Sequence, residues 1–267
     1  MTIRCAVLGS PISHSLSPAL HMRAYRELGI QGSYTAIDVP SGHLEKFISA
    51  LDESWTGFSL TMPLKEEVLA IASDVSSLAQ QTNSANTLIR NRRGWQAEST
   101  DVPGFVDALS AAGFSKFSTI AILGSGATAR SAVAAFDNAG VAITVIHRSS
   151  QREPHMAAAA KKANLNFLPW GSKIPDVDLL INTTPSRVAD VYASNVVAHG
   201  VFFEALYNPW PTKLLASWRQ NGGESVDGLD LLVHQGLYQI ELMTGQVIDH
   251  KNLWPILRLA GLEAMNK

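Results

Sequence analysis

Charged residues are scarce in this chain. Lysine, arginine, aspartate and glutamate make up 16% of its 267 residues, and the formal net charge is −2. So small a net charge gives no bulk attraction to nucleic acid or to an anionic membrane, and any anionic ligand must be bound by local groups. No run of 18 apolar residues occurs, which argues against a membrane-spanning helix. We therefore expect a small-molecule substrate, and neither a nucleic-acid nor a membrane partner.

Cysteine is almost absent as well. Cys5 is the single cysteine, so no intrachain disulfide can form, and this composition fits a reducing compartment. The N-terminal residues lack the long apolar core of a signal peptide, and we expect a cytoplasmic protein. The eight histidines show no paired ligand spacing, so we expect no metal site.

Apolar residues, at 46% of the chain, are sufficient for a large core and one or two domains. Short β-rich runs alternate with segments of helical periodicity, which predicts an α/β fold with mostly parallel strands. The predicted strands are 4–8, 33–39, 57–61, 86–90, 95–97, 119–123, 142–146, 177–181 and 200–205. The predicted helices are 17–28, 43–51, 64–72, 102–112, 127–139, 228–243 and 254–264.

A glycine-rich turn joins the strand 119–123 to the helix that follows it. The turn is Gly124-Ser125-Gly126-Ala127-Thr128-Ala129. Its two glycines allow a tight turn in which backbone N–H groups approach a pyrophosphate, and the small Ala129 allows the helix to pack on the strand. The helix N-terminus adds unsatisfied donors and a partial positive charge. The turn predicts a dinucleotide-binding βαβ unit, with an ordinary strand-to-helix turn as the alternative.

A carboxylate is missing where an NAD site would place one, directly after the strand 142–146. The residues there are His147-Arg148-Ser149-Ser150, and the first carboxylate is Glu153. The planar guanidinium of Arg148 can bind a ribose 2′-phosphate, and the Ser149 hydroxyl can add a donor. We therefore predict NADP(H) as the cofactor. The alternative is a solvated loop with a chance arginine.

The domain organisation follows from the order of these elements. The two helices at the C-terminus have no strand between them, and we infer that they fold back on the first α/β layer. The prediction is one discontinuous domain formed by 1–101 and 229–267, and a Rossmann-type dinucleotide-binding domain at 102–228.

Polar side chains follow several strands of the first domain. Ser15 and Ser17 come after the first strand, although Ser17, which precedes Pro18, also fits a helix N-cap. Lys65, Asn86 and Asp101 lie at three other strand ends, and each alone is an ordinary surface or turn residue. Together they supply an ammonium, an amide and a carboxylate. A lysine in a partly closed cleft can bind a hydroxyl or ketone oxygen and pass a proton, and a nearby carboxylate keeps it charged and oriented.

These motifs, taken in order along the chain, resemble those of the shikimate dehydrogenase family, which is NADP-linked and acts in aromatic amino-acid biosynthesis. The matching segments are 9–21, 61–65, 86–87, 100–101, 124–129, 181–185, 207–209 with Thr212, and 228–229 leading to Gln235. The serine-rich opening with the Lys65 and Asp101 motifs is highly specific, and the glycine turn is not.

The resemblance implies reversible hydride transfer between NADP(H) and the 3-dehydroshikimate/shikimate pair, in a monomer or homodimer whose two domains close over the cleft. It implies that Lys65 and Asp101 form the catalytic pair of the N-terminal substrate-binding domain. It implies substrate contacts for Ser15, Ser17, Thr61, Asn86, Tyr207 and Gln235. It implies cofactor contacts for Gly124, Ser125, Gly126, Ala127, Thr128, Ala129, Arg148, Ser149 and Thr183.

Three positions depart from the family pattern. Ser59 stands where the family usually has asparagine, which could alter a polar contact to the substrate. Ala127 replaces a common glycine, and Ser186-Arg187 follows Pro185 where a glycine is usual. Two alternatives remain: a quinate/shikimate dehydrogenase that uses NAD, and a non-catalytic NADP-binding sensor.

Overall fold

Residues 2–266 are described by a computed structural model, in which the chain divides into two units. The first unit holds the chain up to Gly104 and again from Leu232, and the second unit is Phe105–Leu231. Within residues 2–266, the helices are too short or too polar to cross a bilayer.

The first unit is built on a mixed sheet. Its strands are β1 (Ile3–Gly9), β2 (Gly32–Asp38), β3 (Gly57–Leu60), β4 (Asp74–Val75), β5 (Thr87–Asn91) and β6 (Gly94–Glu98). They lie in the order β2-β1-β3-β5-β6-β4. Strand β1 is parallel to β2 and β3, whereas β5 is antiparallel to β3 and β6. The carboxyl ends of β1, β3 and β6 and the amino end of β5 therefore meet at one edge of the sheet.

The second unit is built on a parallel sheet. Its strands are β7 (Thr119–Leu123), β8 (Ala142–His147), β9 (Asn164–Pro169), β10 (Leu179–Asn182), β11 (Val201–Glu204) and β12 (Glu224–Val226). The order is β12-β11-β10-β7-β8-β9, and neighbouring strands are parallel. From β7 the chain continues to β8 and β9 on one side of the sheet, and from β10 it continues to β11 and β12 on the other side. A topological switch point therefore lies between the carboxyl ends of β7 and β10.

Helices connect and cover these strands. The α-helices, in chain order, are α1 (Ser17–Glu27), α2 (Leu44–Ser49), α3 (Leu64–Glu67), α4 (Ser77–Thr82), α5 (Asp101–Ala111), α6 (Ala127–Ala135), α7 (Glu153–Ala159), α8 (Lys213–Gln220), α9 (Gly228–Thr244) and α10 (His250–Met265). Short 3-10 helices cover Val68–Ala70, Ser150–Arg152 and Val188–Tyr192. The boundaries between the units fall within α5 and α9.

Each unit has its own apolar core. In the first unit, Phe58 of β3 packs against Trp55 and Trp95, with ring centroids 5.0 Å and 5.4 Å apart. In the second unit, Phe105 and Phe203 lie 4.9 Å apart in a cluster that also contains residues of β7, β8 and β10. Burial of this apolar surface is the main favourable contribution to folding in each unit.

Some elements differ from the prediction. Helix α6 ends at Ala135 rather than at 139, because Asp137 leaves the helix and its Oδ1 accepts the backbone N–H groups of residues 161–163. Helix α10 begins at His250, since Asp249 caps it by accepting the N–H of Asn252 at 3.2 Å. The edge strands β9 and β12 were not predicted, because their exposed faces interrupt the apolar pattern.

Candidate functional site

Several chain segments converge at the edge of the first sheet. The N–H of Ser10, after β1, donates to the carbonyl of Met62, after β3, at 3.1 Å. The N–H of Leu60 donates to the carbonyl of Asn86 at 2.7 Å, and the N–H of Asn86 donates to Glu98 O at 3.1 Å. The backbone thereby gathers at one place the loops that carry the polar residues singled out from the sequence.

Lys65 and Asp101 form a direct ion pair at this edge. The Nζ of Lys65 donates to Asp101 Oδ2 at 2.5 Å, although the residues are 36 positions apart in the chain. Lys65 lies in α3, which begins directly after the turn that follows β3. Asp101 is the first residue of α5. Their side chains are 16% and 7% exposed. Because the pair has little contact with water, the electrostatic attraction between the two charges is stronger than at the surface. The charge-assisted hydrogen bond holds the ammonium in one orientation.

Asn86 holds the other oxygen of this carboxylate. Its Nδ2 donates to Asp101 Oδ1 at 2.8 Å, to Thr100 Oγ1 at 2.8 Å and to Gln235 Oε1 at 2.9 Å. Its Oδ1 accepts from the N–H of Thr100 at 2.8 Å. The two N–H groups of this amide thus face three acceptors, and the amide orients the Asp101 carboxylate.

A buried chain of hydrogen bonds supports Asn86 from the interior. Tyr34 OH donates to Ser59 Oγ at 2.5 Å, and Ser59 Oγ donates to Gln239 Oε1 at 2.7 Å. Gln239 Nε2 then donates to Asn86 O at 2.9 Å and to Thr87 Oγ1 at 3.1 Å. The Ser59 hydroxyl therefore serves this internal network. Gln239 lies on α9, and nothing in the sequence pattern distinguishes it from other helix residues.

The three candidate hydroxyls lie in the same unit. Ser17 is the first residue of α1 and Leu16 occupies the N-cap without a side-chain cap, so the N-cap interpretation of Ser17 is wrong. Ser15 Oγ instead accepts the N–H of Ser17 at 3.3 Å. Among residues 2–266, no hydrogen bond uses the hydroxyl of Ser17 or of Thr61. Ser17 is buried at 7% exposure and Thr61 is half-buried, so a ligand that reached these hydroxyls would find them without a partner in this part of the chain.

The glycine turn of the second unit lies at the topological switch point. Gly124 has φ +106°, and a Cβ there would lie 2.7 Å from Thr183 Oγ1, so only glycine fits. Thr183 follows β10 and its hydroxyl donates to Leu123 O at 2.8 Å. A Cβ on Gly126 would meet only Arg152 Nη1, at 3.8 Å. This open cradle, a guanidinium beside it and the uncapped N-terminus of α6 fit a pyrophosphate.

The remaining turn residues occupy ordinary positions. Ala127 is the first residue of α6, where a side chain is well tolerated, and Ser125 and Thr128 are half-buried. Ala129 is fully buried in the core. Where a glycine is usual after Pro185, Arg187 adopts φ +67°, a left-handed conformation that costs a non-glycine residue roughly 1 kcal/mol.

Two arginines follow β8. Arg148 is exposed, and no ion pair or hydrogen bond among the described residues involves its side chain. Ser149 is half-buried, and its carbonyl accepts the N–H of Arg152 at 3.1 Å. Arg152, which lies beside the glycine turn, was not singled out from the sequence. Its spacing from Arg148, one helical turn onward, is the signal that could have found it.

Tyr207 lies half-buried in the loop after β11, in the second unit. The loop is anchored by Glu204, a fully buried residue that was not predicted from the sequence. Asn182 donates to both Glu204 carboxylate oxygens, at 3.0 Å and 3.1 Å, and Thr212 donates to Oε2 at 2.6 Å. Burial raises the pKa of the Glu204 carboxyl, and these hydrogen bonds act in the opposite direction. The Asn182 and Thr212 motifs are thus explained by one buried carboxyl group.

Comparison with known proteins identifies the family. The family model of the shikimate dehydrogenase substrate binding domain matches residues 7–88. A shikimate dehydrogenase (NADP(+)) of Thermus thermophilus is 34% identical over 263 residues, which cover 97% of this chain and 98% of that protein. The chain belongs to the shikimate dehydrogenase family.

Solved shikimate dehydrogenases share the fold over nearly the whole chain. The Mycobacterium tuberculosis enzyme has a TM-score of 0.89 and 34% identity, and the comparison covers 97% of this chain and 99% of that one. A Thermus thermophilus enzyme, solved in complex with NADP(H) and shikimate, has a TM-score of 0.82 and 31% identity, covering 97% and 99%. The predicted fold class, an α/β substrate domain with a Rossmann-type domain, is confirmed.

Proposed function

We propose that this chain catalyses the reversible NADPH-dependent reduction of 3-dehydroshikimate to shikimate, a step in the synthesis of chorismate and the aromatic amino acids. The observation that carries the proposal is the shielded Lys65–Asp101 pair at the converging sheet edge. It occurs in a chain whose full-length relatives are named shikimate dehydrogenase (NADP(+)).

In this reaction NADPH, when bound, supplies a hydride to the carbonyl carbon of the substrate. Lys65 donates a hydrogen bond to the carbonyl oxygen and gives it a proton as negative charge develops, so that the carbonyl becomes a hydroxyl. Asp101 keeps the ammonium oriented, and Lys65 is reprotonated from solvent. In the reverse direction Lys65 accepts the hydroxyl proton.

The remaining polar groups orient the substrate. Ser15 and Ser17 would bind its carboxylate, and the hydroxyl of Thr61 would bind a ring hydroxyl. Gln235 and Asn86 would contact the same ring. An oxygen of the substrate would accept one of the Asn86 side-chain N–H groups, which three protein acceptors share in this structure. Tyr207 would contact the substrate from its own loop.

The Rossmann-type unit would bind the cofactor. The backbone of the glycine turn and the N-terminus of α6 suit the pyrophosphate, and Arg148 and Ser149 suit the 2′-phosphate. The cofactor contacts proposed are Gly124, Ser125, Gly126, Ala127, Thr128, Ala129, Arg148, Ser149 and Thr183. Residues 1–101 and 229–267 would form the substrate-binding domain and residues 102–228 the dinucleotide-binding domain.

The setting proposed for the enzyme is the cytoplasm, where a free thiol such as that of the buried Cys5 stays reduced. We propose that the enzyme works as a monomer or as a homodimer.

Initial rates test the proposed function. Purified protein is offered shikimate or quinate, each with NADP or NAD, and cofactor reduction is followed by absorbance. The highest kcat/KM is expected for shikimate with NADP. A maximum for quinate with NAD would indicate the alternative dehydrogenase, and no rate in any of the four mixtures would indicate a non-catalytic binding protein.

Arg148→Ala should lower kcat/KM for NADP by about 10- to 100-fold and leave kcat/KM for NAD nearly unchanged, because a charge-assisted fork to the 2′-phosphate is lost. The measurement is the ratio of the two kcat/KM values at saturating shikimate. Arg92→Ala, which removes an exposed arginine of the first unit, is the control and should keep the wild-type ratio. An unchanged ratio in Arg148→Ala would assign phosphate recognition to another group.

A further inference from the structure

The loop after β8 carries both arginines and also the first carboxylate after that strand, Glu153. In Rossmann-type folds the residues at this point face the adenosine ribose, and a carboxylate here accepts hydrogen bonds from the 2′-hydroxyl of NAD. A carboxylate free to face the ribose would repel a 2′-phosphate instead. The position of Glu153 therefore bears on which cofactor is accepted.

His147, the last residue of β8, binds both ends of this loop. Its Nδ1 lies 2.9 Å from the carbonyl oxygen of Ser149, and its Nε2 lies 3.2 Å from Glu153 Oε1. The ring is almost fully buried and packs edge-to-face against Phe167 of β9, with centroids 5.5 Å apart. Both ring nitrogens therefore face an oxygen atom of this loop.

This contact has a consequence for the charges that the loop presents. The carboxylate of Glu153 is turned toward His147, whereas Arg148 is exposed and the guanidinium of Arg152 lies near Gly126. The 3-10 helix Ser150–Arg152 lies between Ser149 and Glu153. The N–H of Arg152 donates to the carbonyl of Ser149, which His147 also contacts. The loop thus offers two guanidinium groups while its carboxylate is paired.

We propose that His147 determines cofactor specificity as a positioning residue: by pairing with Glu153 it keeps this carboxylate from the ribose site and leaves the loop selective for a 2′-phosphate. The inference rests on the proposed use of NADP but concerns a residue outside the proposed substrate and cofactor contacts. It assigns a role to a histidine that the pattern of the nucleotide motif does not explain.

Direct nucleotide binding tests it without any catalytic turnover. The affinities of the full-length protein for adenosine 2′,5′-bisphosphate and for AMP are measured by calorimetry. The quantity compared is the affinity for the bisphosphate divided by the affinity for AMP. His147→Asn keeps a side-chain N–H that can reach Ser149 O but is too short to reach Glu153. We expect this variant to lower the ratio on the order of tenfold, because the released carboxylate repels the 2′-phosphate.

A double variant separates this charge effect from a structural one. His147→Asn combined with Glu153→Gln should regain the wild-type ratio, since no carboxylate is left to be released. His155→Asn, at an exposed position of α7, is the matched control and should leave the ratio unchanged. A wild-type ratio in His147→Asn, or a double variant no better than the single one, would overturn the proposal.

Glu153→Gln alone provides a test that does not depend on the folding of the histidine variants. It should keep or raise the preference for the bisphosphate. A lower preference would show that the carboxylate aids 2′-phosphate binding and would refute the inference. A wild-type protein that binds both nucleotides equally would instead contradict the NADP assignment, so the two failures are distinguishable.

Discussion

Replacing Lys65 with alanine is expected to lower kcat for shikimate oxidation by about two to four orders of magnitude, the range typical of a lost general acid–base group. The KM for NADP should change less than twofold, because Lys65 lies in the first unit and the cradle for the cofactor lies in the second. The loss should therefore appear in kcat far more than in cofactor binding, and steady-state kinetics with both substrates varied will separate the two.

Two companion variants make this result specific. Lys65→Met retains most of the aliphatic stem and should be as inactive as Lys65→Ala, which would exclude lost packing as the cause. Lys46→Ala removes an exposed lysine from α2 and should behave as wild type. Turnover near the wild-type value in both Lys65 variants would remove this lysine from the mechanism.

Asp101→Asn is expected to reduce kcat by about 100-fold or more and also to lower stability. Each carboxylate oxygen of Asp101 accepts a hydrogen bond, one from Lys65 and the other from Asn86. An asparagine has one carbonyl oxygen, so its NH2 group must face one of these two donors. A buried donor without an acceptor costs about 1–3 kcal/mol, and the ammonium loses its counter-charge.

Two quantities are measured for each variant: kcat from steady-state kinetics and the melting temperature from thermal unfolding. Asp74→Asn, which neutralises an exposed carboxylate of the same unit, is the control and should alter neither quantity. If Asp101→Asn retained turnover within twofold of wild type, the carboxylate would have no part in orienting Lys65. A stability loss without a kinetic loss would assign it a purely structural role.

The sequence was informative where a local pattern has one physical meaning. The apolar run 119–123 followed by Gly124 and Gly126 predicted a strand and a tight turn, and Gly124 has φ +106° in the structure. It was less informative where a long-range contact overrides a local preference. Helix α6 stops at Ala135 because Asp137 binds residues 161–163, more than twenty positions onward.

The interpretation of Ser59 shows the same difference. From the sequence it was a change at the edge of the substrate site, whereas the structure joins it to Tyr34 and Gln239 in the interior. Gln239 is 180 positions from Ser59, and no spacing rule connects them. Glu153 was likewise visible only as a late carboxylate, and its partner His147 became clear from the fold of the loop.

The sequence by itself determined the class of fold, the family and the identity of the residues with candidate chemistry, because strand and helix periods and glycine conformations depend on neighbours a few positions away. The tertiary structure decided which of these side chains meet. Lys65 pairs with Asp101 and Asn86 faces Gln235 because antiparallel β5 and the returning helix α9 bring distant segments to one sheet edge. Such pairings arise from packing the whole chain, and no local segment specifies them.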